Sequence, residues 1–559
     1  MTGPAASIEH LITEMTPAEK IGQMAQVEKG SITPEEVAEL GIGSVLSGGG
    51  GNPTPNDAAN WAAMVGEMTE AAGASRLGIP LLYGVDGVHG HNNLRGATIF
   101  PHSIGLGATG DPDLVRRVAR ATAIEIAATG VRWDFAPCVA VPLDPRWGRT
   151  YEGFGRDPAL VAAMGAAYVE GLHGRPGGPD PDDSSSVLAC PKHYLGDGAA
   201  AWGSARRVPW NDWWDLWPDW YIDQGDAPIG EEELRAVHLH PYRAAVAAGS
   251  LTVMASYSSW RGDKMHGHRY LLEDVLRGEL GFGGLVVSDW MGIDQLDPDY
   301  RTCVVRSVNA GVDMVMVPIE YRRFFADATA AVADGDISME RIDLAVRRIL
   351  TAKAALGLLD IAKPDPPPLS LVGSAAHRAL AREAVRRSVV LLRGEEAVPV
   401  PAAASVLVGG DGADDIGLQC GGWTIEWQGA RGAITPGTTL LEALRTSHRG
   451  PVHVLGDGVP ESHCDVGILV ASEEPYAEGM GDRPDLTLAI DPSRFHQMRS
   501  ACERLIVVVY SGRPMLLPPI ADRADAIVAA WLPGTEAGGV ADVLLGRHPF
   551  EGRLPHPWP

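Results

Sequence analysis

The chain has 559 residues, 45% of them hydrophobic and 21% charged, which describes a globular protein long enough for two to four domains. Its net charge of -25, without a local lysine or arginine cluster, speaks against nucleic-acid and membrane-surface partners, and no apolar stretch of about 18 residues is present to span a bilayer. The six cysteines, at 138, 190, 303, 420, 464 and 502, form no Cys-x-x-Cys pair, so neither a zinc site nor a disulfide framework is signalled. Residues 1 to 30 lack the basic start and apolar core of a secretory signal, and a cytoplasmic location is expected.

An opening helix is predicted over residues 5 to 27. Short apolar runs then alternate with helical patterns: Ile42 to Leu46 ends in a run of glycines, Leu81 to Val85 ends at Asp86, and Trp133 to Val141 leads into a Pro-Arg-Trp-Gly-Arg loop holding Arg149. Val187 to Cys190 precedes Lys192 and His193, Thr252 to Ala255 precedes Tyr257, Leu285 to Val287 stops at Ser288-Asp289-Trp290, and Val312 to Val317 stops at Pro318. Helices are predicted from Pro112 to Thr129, closed by Gly130, and from Ser338 to Leu356, closed by Gly357. Strand-helix alternation on this scale predicts a (β/α)8-type TIM barrel over residues 1 to 358, with an open doubly wound sheet as the alternative.

Residues 359 to 375 include Lys-Pro-Asp-Pro-Pro-Pro, which cannot continue a helix and reads as an extended linker. Alternation resumes in residues 376 to 559, with strands predicted at Val389 to Leu392, Val406 to Val408, Val452 to Leu455, Val466 to Val470, Leu505 to Val509 and Ile527 to Ala530. Six strands with intervening helices suit a doubly wound α/β sandwich. The fold class is therefore α/β throughout.

The strand ends of the first half collect Asp86, Arg149, Lys192, His193, Tyr257, Asp289 and Trp290. Taken singly, each has a plain use: Asp289 as a helix cap, His193 as a core histidine, Lys192 as a solvated charge, Tyr257 as packing. Together at successive strand tips they match a neutral polyhydroxylated ring, because ionic groups bond vicinal hydroxyls and indoles cover a C–H face. Breaking a glycosidic bond requires a second carboxyl group, and Ala-Ser-Glu-Glu-Pro-Tyr-Ala-Glu at 471 to 478 places Glu473 and Glu474 after a predicted strand, where a solvated acidic loop is the alternative. Trp423 and Trp427, in Gly-Gly-Trp-Thr-Ile-Glu-Trp-Gln-Gly at 421 to 429, add ring platforms; Trp423 also fits a core position.

These residues resemble glycoside hydrolase family 3, especially its two-domain β-glucosidases and exo-β-glucanases, over nearly the whole chain. The likeness is carried by Tyr-Gly-Val-Asp-Gly-Val-His-Gly at 83 to 90, Asp-Pro-Arg-Trp-Gly-Arg-Thr-Tyr-Glu at 144 to 152 and Lys-His-Tyr-Leu-Gly-Asp-Gly at 192 to 198. Val-Val-Ser-Asp-Trp at 286 to 290 and the Trp423 segment complete it. The resemblance implies that Asp289 is the nucleophile and Glu473 the acid/base of a retaining, exo-acting β-glucosidase. It implies that Asp86, Arg149, Lys192, His193 and Tyr257 hold the terminal glucosyl unit, with Trp290 and Trp427 clamping the next sugar or aglycone. No metal or organic cofactor is implied.

Three features depart from the family pattern. Glu474 stands where a histidine is usual, so two adjacent carboxylates compete for the acid role, and Gln295 stands where an arginine is common. Residues 202 to 220 crowd Trp202, Trp210, Trp213, Trp214, Trp217 and Trp220 into what looks like an insertion, suited either to walling an aglycone pocket or to a homo-oligomer contact. Competing activities are a β-xylosidase or broad β-glycosidase, a sugar-binding sensor without turnover, and a glycoside phosphorylase.

Overall fold

The computed structural model describes residues 4–206, 208, 210, 220–360, 365–456 and 463–559. Lys363, Pro364, Trp213, Trp214 and Trp217, named above, lie outside them.

Eight short parallel strands build the first half: β1 (Ala25–Glu28), β2 (Ser44–Ser47), β3 (Leu82–Val85), β4 (Trp133–Asp134), β5 (Leu188–Ala189), β6 (Thr252–Met254), β7 (Leu285–Val287) and β8 (Val315–Met316). Pairing runs continuously from β8 through β1, β2, β3 and β4 to β5, and separately between β6 and β7. Parallel bridges Tyr194↔Ala255 and Val287↔Met314 join the two sets, with Tyr194 N–H donating to the Met254 carbonyl at 2.8 Å and Ser288 N–H to the Met314 carbonyl at 3.0 Å. The ring is thus closed, which rules out the open sheet for this half. Helices between successive strands bury the outer face, as Pro112–Ala128 does with Leu114, Val118, Ala121 and Ile126.

The predicted opening helix is instead two helices, Pro4–Glu14 and Pro17–Gln23, followed by β1. Thr16 and Glu19 form a reciprocal capping box with Pro17 at the first helical position, so a new helix begins there. β1 escapes an apolar-run reading because Gln26 sits in it, fully buried, its amide nitrogen donating to Ser44 Oγ at 2.7 Å.

The second half forms a six-stranded sheet in the order β9 (Val390–Arg393), β14 (Ala526–Trp531), β13 (Cys502–Tyr510), β12 (Cys464–Ser472), β10 (Val406–Gly409) and β11 (Val452–Val454). All neighbours are parallel except β9 with β14. Apolar side chains leave both faces of β12 and β13 into separate cores, the double coverage that a mainly parallel sheet requires. Helix Ala375–Ser388 joins the halves, sending Ala381 and Ala384 to the barrel core and Val385 to the other.

The second half sits over the C-terminal mouth of the barrel and is bonded to it at several points. Asn92 Nδ2 donates to the Trp423 carbonyl at 2.6 Å and accepts in return, through its own carbonyl, from Ile425 N–H at 2.8 Å. Asp482 receives Tyr221, Ile222 and Asp223 N–H on Oδ2 at 3.1, 2.8 and 2.8 Å, and Gly148 N–H on Oδ1 at 2.8 Å. All six cysteines are free and buried. No helix among the described residues is long and apolar enough to cross a membrane.

Candidate active site

A cavity of about 180 Å³ opens at the barrel mouth under the second half. Its lining gathers Asp86, Arg149, Lys192, His193, Tyr257, Asp289 and Trp290 from strand ends and Trp423, Trp427 and Glu478 from the other half, with Gly48, Gly49, Trp220, Gln224, Met254 and Met316 between them. All seven strand-end residues singled out in the sequence are there, together with both tryptophans. Glu473 is not.

Asp289 stands two residues past the end of β7, at the strand's tip. Its N–H donates to His266 Nε2 at 3.0 Å and its Oδ1 accepts from Trp290 N–H at 2.8 Å. Oδ2 is buried with no hydrogen-bond donor among the described residues. Burial pushes the carboxyl up to about 6, against the pull of Arg149 and Lys192. The result is a carboxylate at neutral pH with one oxygen left for an electrophile.

Around it the cationic groups are held by carboxylates. Lys192 Nζ donates to Asp86 Oδ1 at 2.8 Å and lies 5.7 Å from the centre of the Trp423 ring. Arg149 makes a two-pronged bond to Glu152, Nε and Nη2 each at 2.9 Å, and Nη2 also lies 3.2 Å from His193 Nε2. Burial, reinforced by Arg149 and Lys192, pushes His193 well below its ordinary range, so the ring is neutral. Nε2 then accepts from Arg149, and Nδ1–H donates to Asp197 Oδ2 at 3.1 Å. Asp289 Oδ2, 3.7 Å from Nε2, therefore gains no donor from the imidazole. Tyr257 O–H donates to the Trp290 carbonyl, leaving its lone pair for a ligand hydroxyl.

Glu478 comes from the loop after β12 and stands 3.5 Å, Oε1 to Nη1, from Arg149. Burial pushes it up to about 8; Arg149 pulls it down, while Asp223, Asp289 and Glu152 push it further up. Its backbone is left-handed, with φ 54°, a conformation costing about 1 to 3 kcal/mol that persists only where surroundings impose it. The next residue is tightly packed: a Cβ on Gly479 would run into the Trp220 ring, so only glycine lets that indole lie on the backbone beside Glu478.

Glu473 is the correction that the structure forces. It is buried in its own half, Oε2 accepting Gly512 N–H at 2.9 Å and Tyr476 O–H at 3.1 Å, Oε1 lying 3.3 Å from Arg513 Nε and 3.6 Å from Arg483. It lines a different cavity, with Arg483, Arg513 and Met515. Glu474 is exposed, paired with Arg431, and does not line the cavity that holds Asp289 either. β12 ends at Ser472, and both glutamates stand at that tip; the chain meets the barrel from Tyr476, whose carbonyl accepts from Tyr151 O–H, and brings Glu478 into the cavity.

The indoles divide by position. Trp290 and Trp423 each present a buried Nε1–H with no acceptor among the described residues. Trp427 packs on Gly49, where an added Cβ would lie 2.8 Å from its Cα and Cβ. Of the Trp-rich segment, Trp220 lines the cavity, Trp202 stacks on Tyr221 at 4.8 Å, and Trp210 is exposed with Nε1–H on the Asp294 carbonyl at 3.0 Å. Gln295 Nε2 donates to Gln224 Oε1 at 2.8 Å, so an amide pair stands where a cation was expected from related patterns. No group of three His, Cys, Asp or Glu side chains among the described residues is arranged to hold a metal ion.

A buried carboxylate with a bare oxygen, facing a protonated carboxylic acid across a sugar-sized cavity, can attack a carbon and protonate what leaves it. Comparison with known proteins points the same way. Residues 16–352 match the profile of the glycosyl hydrolase family 3 N terminal domain and residues 389–559 that of the C-terminal domain. A mutant exo-1,3/1,4-β-glucanase from a Pseudoalteromonas species superimposes with TM-score 0.91 at 39% identity, covering 100% of this chain and 91% of that one. A mutant β-glucosidase from Listeria innocua, solved with laminaribiose, gives 0.84 at 25% identity, covering 100% and 77%. The lysosomal β-glucosidase of Dictyostelium discoideum is 31% identical over 99% of this chain and 72% of its own length.

Proposed function

The chain belongs to glycosyl hydrolase family 3 and is a glycoside hydrolase of the β-glucosidase kind, and on that premise we propose that Asp289 and Glu478 carry a retaining, two-step hydrolysis of terminal β-D-glucosyl units. The observation that carries this is the pairing of two carboxyl groups, one from each half, in one cavity and on either side of neutral pH: Asp289 at about 6 and Glu478 at about 8.

In the first step Asp289 Oδ2 bonds to the anomeric carbon, the bond from that carbon to the leaving oxygen breaks, and the Glu478 proton passes to that oxygen. In the second, water bonds to the anomeric carbon, the ester to Asp289 breaks, and Glu478 takes the water proton. Asp86, Arg149, Lys192 and His193 supply the charged and polar contacts to the glucosyl hydroxyls, and Tyr257 accepts from one. Trp290 and Trp427 cover the unit that leaves, an oligosaccharide or an aglycone.

Replacing the acid tests the assignment. Glu478→Gln is expected to lower kcat/KM on cellobiose by about 10² to 10⁴-fold while sparing 2,4-dinitrophenyl β-glucoside, whose leaving group needs no proton. With added azide the variant is expected to form β-glucosyl azide. Unchanged cellobiose hydrolysis would remove Glu478 from the acid role.

A further inference from the structure

One guanidinium bonds the loop that carries Glu478 on both sides of that residue. Arg513 follows β13, is fully buried, and does not line the cavity that holds Asp289 and Glu478. Toward its own half, Nε donates to Tyr476 Oη and Nη2 to the Gly481 carbonyl, each at 2.8 Å, so it grips the loop on both sides of Glu478. Toward the barrel, Nη1 donates to the Pro145 and Arg146 carbonyls, each at 3.2 Å, in the segment that leads to Arg149. Its Cζ lies over the Tyr476 ring, 4.5 Å from the centre.

Glu473 completes the arrangement. Its Oε1 lies 3.3 Å from Arg513 Nε, and its Oε2 accepts from Gly512 N–H and Tyr476 O–H at 2.9 and 3.1 Å. A buried guanidinium requires such a counter-charge, and its planar fork of five donors can serve two segments at once in one fixed geometry. Tyr151 O–H adds a second tie from the barrel, donating to the Tyr476 carbonyl at 2.6 Å.

We propose that Arg513, with Glu473 as its counter-ion, is a positioning residue that sets Glu478 against Arg149 for the proton-transfer step. The proposal rests on Glu478 being the acid. Neither Arg513 nor Glu473 touches the reacting atoms; both act through the loop. A group that acts this way affects substrates in proportion to their need for a proton, whereas a general loss of packing affects them alike.

The test uses the full-length enzyme and kcat/KM on cellobiose and on 2,4-dinitrophenyl β-glucoside. For Arg513→Lys, a loss of about 100-fold is expected on cellobiose, the usual cost of a displacement near 1 Å, against less than about threefold on the dinitrophenyl glycoside. Glu473→Gln and Tyr476→Phe, which remove only a charge or one oxygen, are expected to show the same split at smaller size and to shift the alkaline limb of the cellobiose profile. These two decide the matter if Arg513→Lys does not fold. Equal losses on both substrates, or none, would overturn the proposal. Glu478→Gln is the control: if it too shows no split, the acid assignment has failed, whereas a split there and none in the other variants overturns the role of Arg513 alone.

Discussion

Arg149 Nη1 stands 3.5 Å from Glu478 Oε1 across the seam between the halves of the chain, and Nη2 of the same guanidinium lies 3.2 Å from His193 Nε2 beside Asp289. One cation therefore faces both carboxyl groups. It pulls each of them down, but burial outweighs it at both, and Asp223, Asp289 and Glu152 push Glu478 further up.

The activity profile should be a bell. Asp289 must be ionised to attack, so kcat/KM rises as pH passes upward through about 6. Glu478 must be protonated to donate, so it falls again as pH passes through about 8. The maximum is expected near neutrality. Initial rates on cellobiose across about pH 4 to 10, a range chosen to bracket both groups, check it; a profile still rising above about pH 9 would contradict the acid assigned here.

Asp289→Asn should separate binding from chemistry. The amide nearly matches the carboxylate in size, keeps an oxygen for Trp290 N–H, and removes the nucleophile. Turnover is expected to fall by more than about 10³-fold, as for loss of a nucleophile elsewhere. Glucose affinity, measured by calorimetry, should stay within about tenfold, because Asp86, Lys192 and Arg149 keep their places in separate ion pairs.

Much of this site was legible in the amino-acid order because a barrel strand points the residue at its tip into the mouth. Leu285 to Val287 and then Asp289, or Leu82 to Val85 and then Asp86, are such cases, and the structure gathers them all. β1 was hidden by buried Gln26, whose partner Ser44 lies on the next strand and cannot be foreseen from neighbours in the chain. Glu473 was expected in the cavity because the same tip rule was carried over to the second half. There the tip residue Glu473 turns inward to Arg513, and it is the loop beyond that crosses to the barrel. The nearby glycines offered a local sign, since a side chain at Gly479 would meet the Trp220 ring and one at Gly481 the Tyr476 ring. The hydrogen bonds from Arg513 that hold this loop join residues far apart in the chain.

Arg149 also bears on stability. It is bonded at 2.9 Å through two nitrogens to Glu152, whose side chain is fully buried. Arg149→Met should leave that charge without its partner and cost about 3 to 5 kcal/mol. Adding Glu152→Gln should return a good part of the loss, since no ion then remains unpaired, whereas activity should stay low in both. Urea unfolding followed by tryptophan fluorescence checks the first point and rates on an aryl β-glucoside the second. Equal stability of the single variant and the parent would mean that water reaches Glu152.

Gly479→Ala tests how tightly the loop must lie. The added methyl would meet the Trp220 ring, so either the indole moves out of the cavity wall or the backbone next to Glu478 is pushed away. A displacement near 1 Å at a reacting group costs about 100-fold, and kcat/KM on cellobiose is expected to fall by about that much. The two routes are distinguishable. If the backbone moves, 2,4-dinitrophenyl β-glucoside is spared, because it does not need the proton; if the indole moves, both substrates suffer. Trp220→Ala in the same background should restore cellobiose hydrolysis toward the level of Trp220→Ala alone, since the clash is then gone. Failure to restore it would show that residue 479 is constrained by something other than that ring.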